Sequence, residues 1–142
     1  MITANRFHDF STGHRVVGHE GKCAHLHGHN YRIHFHVAPK VEGDLDDIGR
    51  VVDFSVINTL LCQWLEDNWD HKMLIWDQDP MVDLLIHVDM EGVVVVPFNP
   101  TAENMAQFLM NEVAPKQLPC YLQLIECTIE ETRKCSVTYK LK

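Results

Sequence analysis

The chain has 142 residues, 46% of them hydrophobic and 23% charged, which is typical of one globular domain spanning residues 1–142. Its 20 acidic residues outnumber 12 lysines and arginines, and the resulting charge of −8 disfavours nucleic acid as a partner. No apolar stretch approaches the ~20 residues of a membrane span, and the N-terminus lacks the apolar core of a signal peptide. We therefore expect a cytoplasmic protein with no membrane partner.

The first elements are two strands separated by a polar loop. A strand is expected around residues 6–11, followed by a loop over 18–28 that is rich in histidine and glycine. Residues 31–37 alternate apolar and polar side chains, the period-two pattern of a half-buried strand, and Pro39 ends it.

The middle of the chain predicts a short strand over 50–54 and then a helix over about 56–68. Ser55 is the expected N-cap of this helix, whose apolar residues follow helical spacing on one face.

The second half predicts a hairpin of strands 84–88 and 92–97, and then a helix that opens at Pro100-Thr101 and runs to about residue 113. Two closing strands are expected over 122–129 and 136–141. Two helices on one face of an antiparallel sheet predict an α+β domain.

The sharpest motif is His27-Gly28-His29. Two histidines at i and i+2 on an extended segment point to the same face, and neutral imidazole is a preferred zinc ligand. Gly28 is expected to let the backbone lie close to the ion, and His14 could supply a third nitrogen. Three histidines without a fourth protein ligand describe an open, catalytic zinc site. The alternative is a histidine-rich loop with ordinary exposed imidazoles.

Cys23 precedes His27 by four residues in a polar loop, beside Lys22. It could be a fourth ligand that closes a structural zinc site, or a nearby reactive thiol. A buried, inert thiol is less consistent with such a loop. The five cysteines follow no CxxC spacing and are expected to be free, with Cys62 in the core.

Two further pairs of adjacent residues, each with at least one carboxylate, are candidates for the functional site. Asp70-His71 places a carboxylate next to an imidazole, which can orient a base, although such a pair is more often a turn feature. Glu130-Glu131 ends an apolar strand, and we interpret Glu130 as a solvated strand end.

Six motifs in this order resemble the family of 6-pyruvoyl-tetrahydropterin and 6-carboxy-tetrahydropterin synthases. They cover residues 10 to 132 and are FSTGH (10–14), CAHLHGHNY (23–31), VDF (52–54), DHKML (70–74), PTAEN (100–104) and EET (130–132). The resemblance implies the tunnelling fold: a four-stranded antiparallel sheet with two helices per subunit, three subunits that close a β-barrel, and two trimers stacked as a hexamer. The segment 77–99 is longer than in the family's shorter members, and the resemblance implies no role for it.

The resemblance also implies roles for the candidate residues. The zinc ligands would be His14, His27 and His29. The base would be Cys23, activated by Asp70 and His71 from a neighbouring subunit. Glu131 would anchor the pterin, because a carboxylate can pair with the N–H edge of its guanidine-like ring. Thr101 and Glu103 would line the pocket, or Thr101 would simply cap the second helix.

The implied activity is that of a zinc-dependent lyase acting on 7,8-dihydroneopterin triphosphate. One branch of the family forms 6-pyruvoyl-tetrahydropterin. The other forms 6-carboxy-tetrahydropterin and acetaldehyde on the route to 7-deazapurines such as queuosine. The short CxxxHGH spacing resembles the 6-carboxy branch. The competing hypothesis is a non-catalytic zinc-binding module in which Cys23 and the three histidines form a closed site.

Overall fold

The centre of the fold is a long antiparallel pair, β1 (Ala4–His14) and β2 (His27–Pro39), in a computed structural model that describes residues 1–142. The register runs from Ala4 opposite Val37 to His14 opposite His27. Both strands extend beyond the predicted 6–11 and 31–37, because pairing continues through polar residues whose pattern alone does not indicate a strand.

Strands β5 (Leu122–Glu130) and β6 (Ser136–Lys140) continue the sheet beyond β2, and both pairings are antiparallel. On the other side of β1 lie β3 (Met73–Trp76) and β4 (Val93–Val96). Strand β3 pairs in parallel with β1, and β4 pairs in parallel with β3. The order is β4-β3-β1-β2-β5-β6. The sheet therefore has six strands and is mixed, and the expectation of four antiparallel strands is corrected. The two added strands are short continuous apolar runs; β3 lies inside the sheet with Leu74 and Ile75 buried, whereas β4 is the edge strand and exposes Val95.

The predicted hairpin over 84–88 and 92–97 is wrong. Val82–Val88 forms a helix, α2, because parallel strands cannot be joined by a tight turn and need a crossover connection. Strand β4 follows it and pairs with β3.

Helix α1 covers residues 54–68, with a π-helical stretch at Asn58–Cys62. Its N-cap is Asp53, whose side chain accepts the Ser55 N–H at 2.8 Å, so the prediction that Ser55 is the cap is wrong. The predicted strand over 50–54 is absent too: Arg50 forms ion pairs with Asp46 and Asp53 within a turn, and Gly49 adopts a φ of 91°.

Helix α3 covers residues 102–117 and is longer than predicted. Thr101 caps it by accepting the Asn104 N–H at 3.1 Å. Pro115 does not end the helix, because the π-helical stretch Leu109–Val113 precedes it and places it in the first turn of the next α-helical segment. A proline, which has no N–H, is tolerated in a first turn.

Helices α1 and α3 pack on one face of the sheet over a cluster of 26 buried residues. Tyr31, Ile33, Phe35 and Val37 all point into this cluster, as their alternation predicted, and Cys62 is buried as expected. None of the helices is both long enough and apolar enough to cross a membrane.

Candidate metal centre and cavity

Three histidines converge where β1 ends and β2 begins. His14 lies opposite His27 in the strand register and Thr12 lies opposite His29, so the three imidazoles share the core face of the sheet. One nitrogen from each ring lies within 4.8 Å of the others, an arrangement that could hold a metal ion. The predicted convergence of these three residues is therefore seen in the structure.

Hydrogen bonds to carbonyl groups determine the tautomers of two of these rings. His14 Nδ1 lies 2.6 Å from the Pro100 carbonyl, and His27 Nδ1 lies 2.7 Å from the His25 carbonyl. Because a carbonyl only accepts, both Nδ1 atoms carry the proton and both Nε2 atoms present lone pairs. Those two Nε2 atoms face each other at 3.0 Å, and His29 Nε2 is buried without a hydrogen-bond partner. A cation between the three would satisfy all of them, so the residues fit a metal of the zinc type.

Burial favours the neutral form of two of the three histidines. Desolvation lowers the pKa of His14 to about 4, against a partly opposing hydrogen bond to the Pro100 carbonyl. Burial also lowers the pKa of His29, although Glu131, whose Oε1 lies 3.4 Å from His29 Nε2, acts in the opposite direction. His14 and His29 therefore need not lose a proton near neutral pH before they bind a metal.

Gly28 lies where β1 and β2 approach each other closely. A Cβ at this position would lie 3.1 Å from the Thr12 carbonyl and 3.5 Å from Gly13 on the paired strand. Glycine therefore favours the close approach of β1 and β2, and its expected contact with the ion stays a prediction.

A cavity of about 360 Å³ opens beside the histidines. Five of the residues singled out from the sequence line it, namely His14, Cys23, Thr101, Glu103 and Glu131. The sequence alone did not single out the other lining residues, which are Val16, His19, Ala102, Cys135, Ser136 and Val137. Cys135 to Val137 are brought in by the tight turn between β5 and β6, in which Glu131 N–H donates to the Cys135 carbonyl at 3.1 Å.

Cys23 lies in a short 3₁₀ turn, Lys22–Ala24, and is half-buried. It lines the cavity but is not a member of the group of mutually close ligand atoms, which holds only the three histidines. This geometry favours a thiol next to the metal centre over a fourth ligand that closes it.

Asp70 and His71 contact each other but lie apart from Cys23. Asp70 Oδ1 accepts the Ser11 N–H at 3.0 Å, and Oδ2 lies 2.8 Å from His71 Nδ1. Burial would raise the pKa of Asp70, but the hydrogen bonds from Ser11 and His71 outweigh it and lower that pKa. The His71 side chain is 79% exposed and borders a second, open depression that His29 also lines. Within one chain, the structure therefore does not bring this pair into the cavity of Cys23.

Glu130 and Glu131 separate onto different surfaces. Glu130 contacts His34 Nε2 on the sheet face that the helices leave uncovered, so it is paired and not simply a solvated strand end. Glu131 faces the cavity and the metal centre. Pro100, whose carbonyl orients His14, was missed as a functional residue. A backbone contact of this kind leaves no signature in the sequence.

Comparisons with known proteins agree with the motifs. A family model described as 6-pyruvoyl tetrahydropterin synthase matches residues 3–142. A 6-carboxy-5,6,7,8-tetrahydropterin synthase of Rickettsia bellii is 38% identical over 117 residues, which are 82% of this chain and 83% of the relative.

Solved structures show the same architecture. An uncharacterized protein from Wolinella succinogenes superposes with a TM-score of 0.84 at 22% identity, over 99% of this chain and 98% of the other. The 6-pyruvoyl tetrahydropterin synthase of Caenorhabditis elegans superposes with a TM-score of 0.67 at 25% identity, over 99% and 96% of the two chains. The predicted α+β tunnelling fold is confirmed, with two strands more than expected, and the chain belongs to the 6-pyruvoyl tetrahydropterin synthase family.

Proposed function

We propose that the chain is a zinc-dependent lyase that converts 7,8-dihydroneopterin triphosphate to 6-carboxy-5,6,7,8-tetrahydropterin, with loss of triphosphate and acetaldehyde. One observation carries this proposal: the cavity beside the three-histidine group is lined by one member of that group, His14, together with a thiol, Cys23, and a carboxylate, Glu131. A metal, a base and an anchor for a guanidine-like ring are the parts that such a reaction needs. Residues 1–142 would act as one catalytic domain.

The ligands of the zinc ion would be His14, His27 and His29. Bound zinc would supply Lewis-acid polarisation of the hydroxyl groups on the substrate's side chain. The geometry supports an open site, because Cys23 lies outside the group of ligand atoms and leaves a coordination position for substrate.

Each residue of the cavity has a separate task in this proposal. The Cys23 thiolate removes a proton from a side-chain carbon of the substrate, after which triphosphate leaves by elimination. The Glu131 carboxylate accepts the N–H edge of the pterin ring and fixes its orientation. Thr101 and Glu103, at the start of α3, line the cavity on the side of the helix.

Asp70 and His71 would complete the site from a neighbouring subunit. Their own contacts make them a preformed pair, with Asp70 tied to β1 and the imidazole projecting outward. A pair that is exposed and outside the cavity of its own chain can serve the Cys23 of a partner. We therefore propose a homo-oligomer, a trimer or a hexamer of two stacked trimers, located in the cytoplasm.

The choice of product rests on the spacing of Cys23 and the HGH motif, and on the name of the Rickettsia relative. The 6-carboxy product would feed 7-deazapurine synthesis, as in the queuosine pathway. The second candidate is 6-pyruvoyl-tetrahydropterin synthase activity, which the likeness to the C. elegans enzyme supports. A non-catalytic zinc module is disfavoured by the position of Cys23 outside the ligand group.

Incubation of the zinc-loaded protein with 7,8-dihydroneopterin triphosphate tests the proposal, with acetaldehyde and pterin products identified by mass spectrometry. We expect the wild type to form acetaldehyde and 6-carboxy-tetrahydropterin in a one-to-one ratio. Cys120→Ala, a control at an exposed thiol outside the cavity, should give the same result. Cys23→Ala should form neither product at a comparable rate. Release of triphosphate without acetaldehyde would assign the 6-pyruvoyl activity instead, and no conversion by the wild type would contradict both.

A further inference from the structure

Asp79 is a buried carboxylate that the proposed chemistry does not use. Only 2% of its surface is exposed, and it lies in the turn between β3 and α2, within the segment 77–99 that the family resemblance left without a role. A charge is buried at a large cost unless it is paired and hydrogen-bonded, so its partners show what it holds.

The partner of Asp79 is Arg15, the residue that follows the metal ligand His14. The contact is a two-point fork, with Arg15 Nε donating to Oδ2 at 2.9 Å and Nη2 donating to Oδ1 at 3.1 Å. Oδ1 also accepts the Met81 N–H at 2.8 Å. Burial acts to raise the pKa of Asp79, but these hydrogen bonds outweigh it and lower that pKa, so the carboxylate is ionised near neutral pH.

The remaining nitrogen of the guanidinium reaches the loop that carries Cys23. Arg15 Nη1 donates to the Ala24 carbonyl at 3.3 Å, one residue beyond the thiol. Val16, the residue after Arg15, donates its N–H to the carbonyl of Cys23 itself at 3.0 Å. The pair of Arg15 and Asp79 therefore connects the turn at β3 to the Ala24 carbonyl, and the neighbouring Val16 adds a contact to the Cys23 carbonyl.

The other end of the segment 77–99 holds the same loop. Asn99 accepts the Val17 N–H at 3.0 Å and donates its amide to the Val17 carbonyl at 2.9 Å, which is a two-point contact with the backbone. The segment therefore forms hydrogen bonds with the start of the loop at both of its ends, through Asp79 to Arg15 and through Asn99 to Val17.

We propose that Asp79, acting through Arg15, is a positioning residue that sets the place of Cys23 in the cavity. The segment 77–99 holds the loop that carries Cys23 in place. This part of the chain would then contribute to catalysis without any contact with substrate. The catalytic meaning of this placement rests on the proposed function of Cys23 as the base.

The three histidines also have orienting contacts that involve neither Asp79 nor the Arg15 side chain. His14 is held by the Pro100 carbonyl, and His27 and His29 lie on β2. Loss of the Asp79 contact should therefore move Cys23 and leave zinc in place. A misplacement of a reacting group by about 1 Å can cost ~100-fold in rate.

The test compares Asp79→Asn with Asp77→Asn, a matched control in the same segment. Asp77 is exposed, and its side chain accepts a hydrogen bond from the amide of its neighbour Gln78 at 3.2 Å. For each zinc-loaded variant, the rate at which iodoacetamide modifies Cys23 is measured by peptide mass spectrometry, together with zinc content, kcat and KM. Arg15→Lys is a second variant, which keeps the charge and loses the fork.

We expect Asp79→Asn to alter the modification rate of Cys23 by at least about threefold and to lower kcat by ~10- to 100-fold, with KM within about twofold and zinc content unchanged. Asp77→Asn should match the wild type, and Arg15→Lys should lie between. A modification rate and kcat in Asp79→Asn equal to those of Asp77→Asn would overturn the proposal. So would loss of zinc from Asp79→Asn, which would indicate a general structural role.

Two further outcomes distinguish failure of this proposal from unfolding of the variant and from failure of the proposed function. If Asp79→Asn does not fold, Arg15→Lys decides: an unchanged modification rate in that folded variant overturns the proposal, and a changed rate with full zinc content supports it. If the wild type does not convert 7,8-dihydroneopterin triphosphate, the proposed function fails, while the modification rates still show whether Asp79 positions Cys23.

Discussion

Thr101 has two roles that one pair of substitutions can separate. Its Oγ1 accepts the Asn104 N–H at 3.1 Å as the N-cap of α3, and the residue also lines the cavity. Thr101→Val removes the oxygen and keeps the shape, whereas Thr101→Ser keeps the oxygen and removes a methyl group. Loss of an N-cap costs about 1 kcal/mol. With an unfolding entropy of about 2.1 cal/mol/K per residue over 142 residues, or ~0.3 kcal/mol/K, this lowers Tm by ~3 °C.

Thermal unfolding followed by circular dichroism, on zinc-loaded protein at one fixed concentration, measures this effect. We expect Thr101→Val to unfold ~3 °C below the wild type and Thr101→Ser to unfold within ~1 °C of it. A loosened helix start would also disturb the Pro100 carbonyl that orients His14, so kcat should fall in Thr101→Val more than in Thr101→Ser. Equal Tm values for Thr101→Val and wild type would refute the capping role. A larger loss of activity in Thr101→Ser than in Thr101→Val would instead indicate that the methyl group contacts substrate.

Five other expectations follow from the site and its surroundings. His27→Ala should lose zinc and turnover together, and full zinc content in this variant by elemental analysis would show that the triad is misassigned. Cys23→Ala should retain zinc and oligomer while kcat falls by about 10²- to 10⁴-fold, which single-turnover measurements would reveal. Light scattering should give the mass of a trimer or hexamer, and an active monomer would contradict the shared site. His71→Ala should slow the alkylation of Cys23, because it removes a neighbour that can carry positive charge. The pKa of Asp79 is lowered in the folded state from its ordinary 3.8, so its contribution to stability is present above that value and is lost as pH falls through the lowered pKa. In urea titrations the stability difference between wild type and Asp79→Asn should therefore be constant above about pH 5 and shrink as the pH falls below it, and a difference that stays constant down to about pH 3 would exclude an ionised Asp79.

The convergence of His14, His27 and His29 was predictable because strand geometry is local. The i and i+2 spacing of His27 and His29 places both on one face, and the pairing of β1 with β2 brings in His14. The core positions of β2 followed from the same alternation. The Glu131 side of the cavity was predictable only through the family motif, because its position depends on a tight turn between β5 and β6 that the spacing of residues does not specify.

Strand β3 was missed, and β4 was predicted as a strand but given the wrong partner, because the signals of this region are weak. The run Met73–Trp76 is four residues long and has no alternation, and Val82–Val88 carries apolar residues that fit a strand as well as a helix. Residues 82–88 form a helix and not a strand because they connect two parallel strands. That connection is a property of the whole sheet.

The fork between Arg15 and Asp79 was beyond sequence reasoning for the same reason. Its two residues are 64 positions apart and each is unremarkable in its own segment. The pairing depends on where β3 and its following turn lie relative to the end of β1.

X-ray absorption at the zinc edge of the zinc-loaded wild type tests the central claim most directly, namely that three histidines hold the metal while Cys23 stands outside its shell. We expect nitrogen and oxygen neighbours at ~2.0–2.1 Å, three of them imidazole, and no sulfur. A sulfur neighbour at ~2.3 Å that disappears in Cys23→Ala would contradict the account and make this a closed structural zinc site.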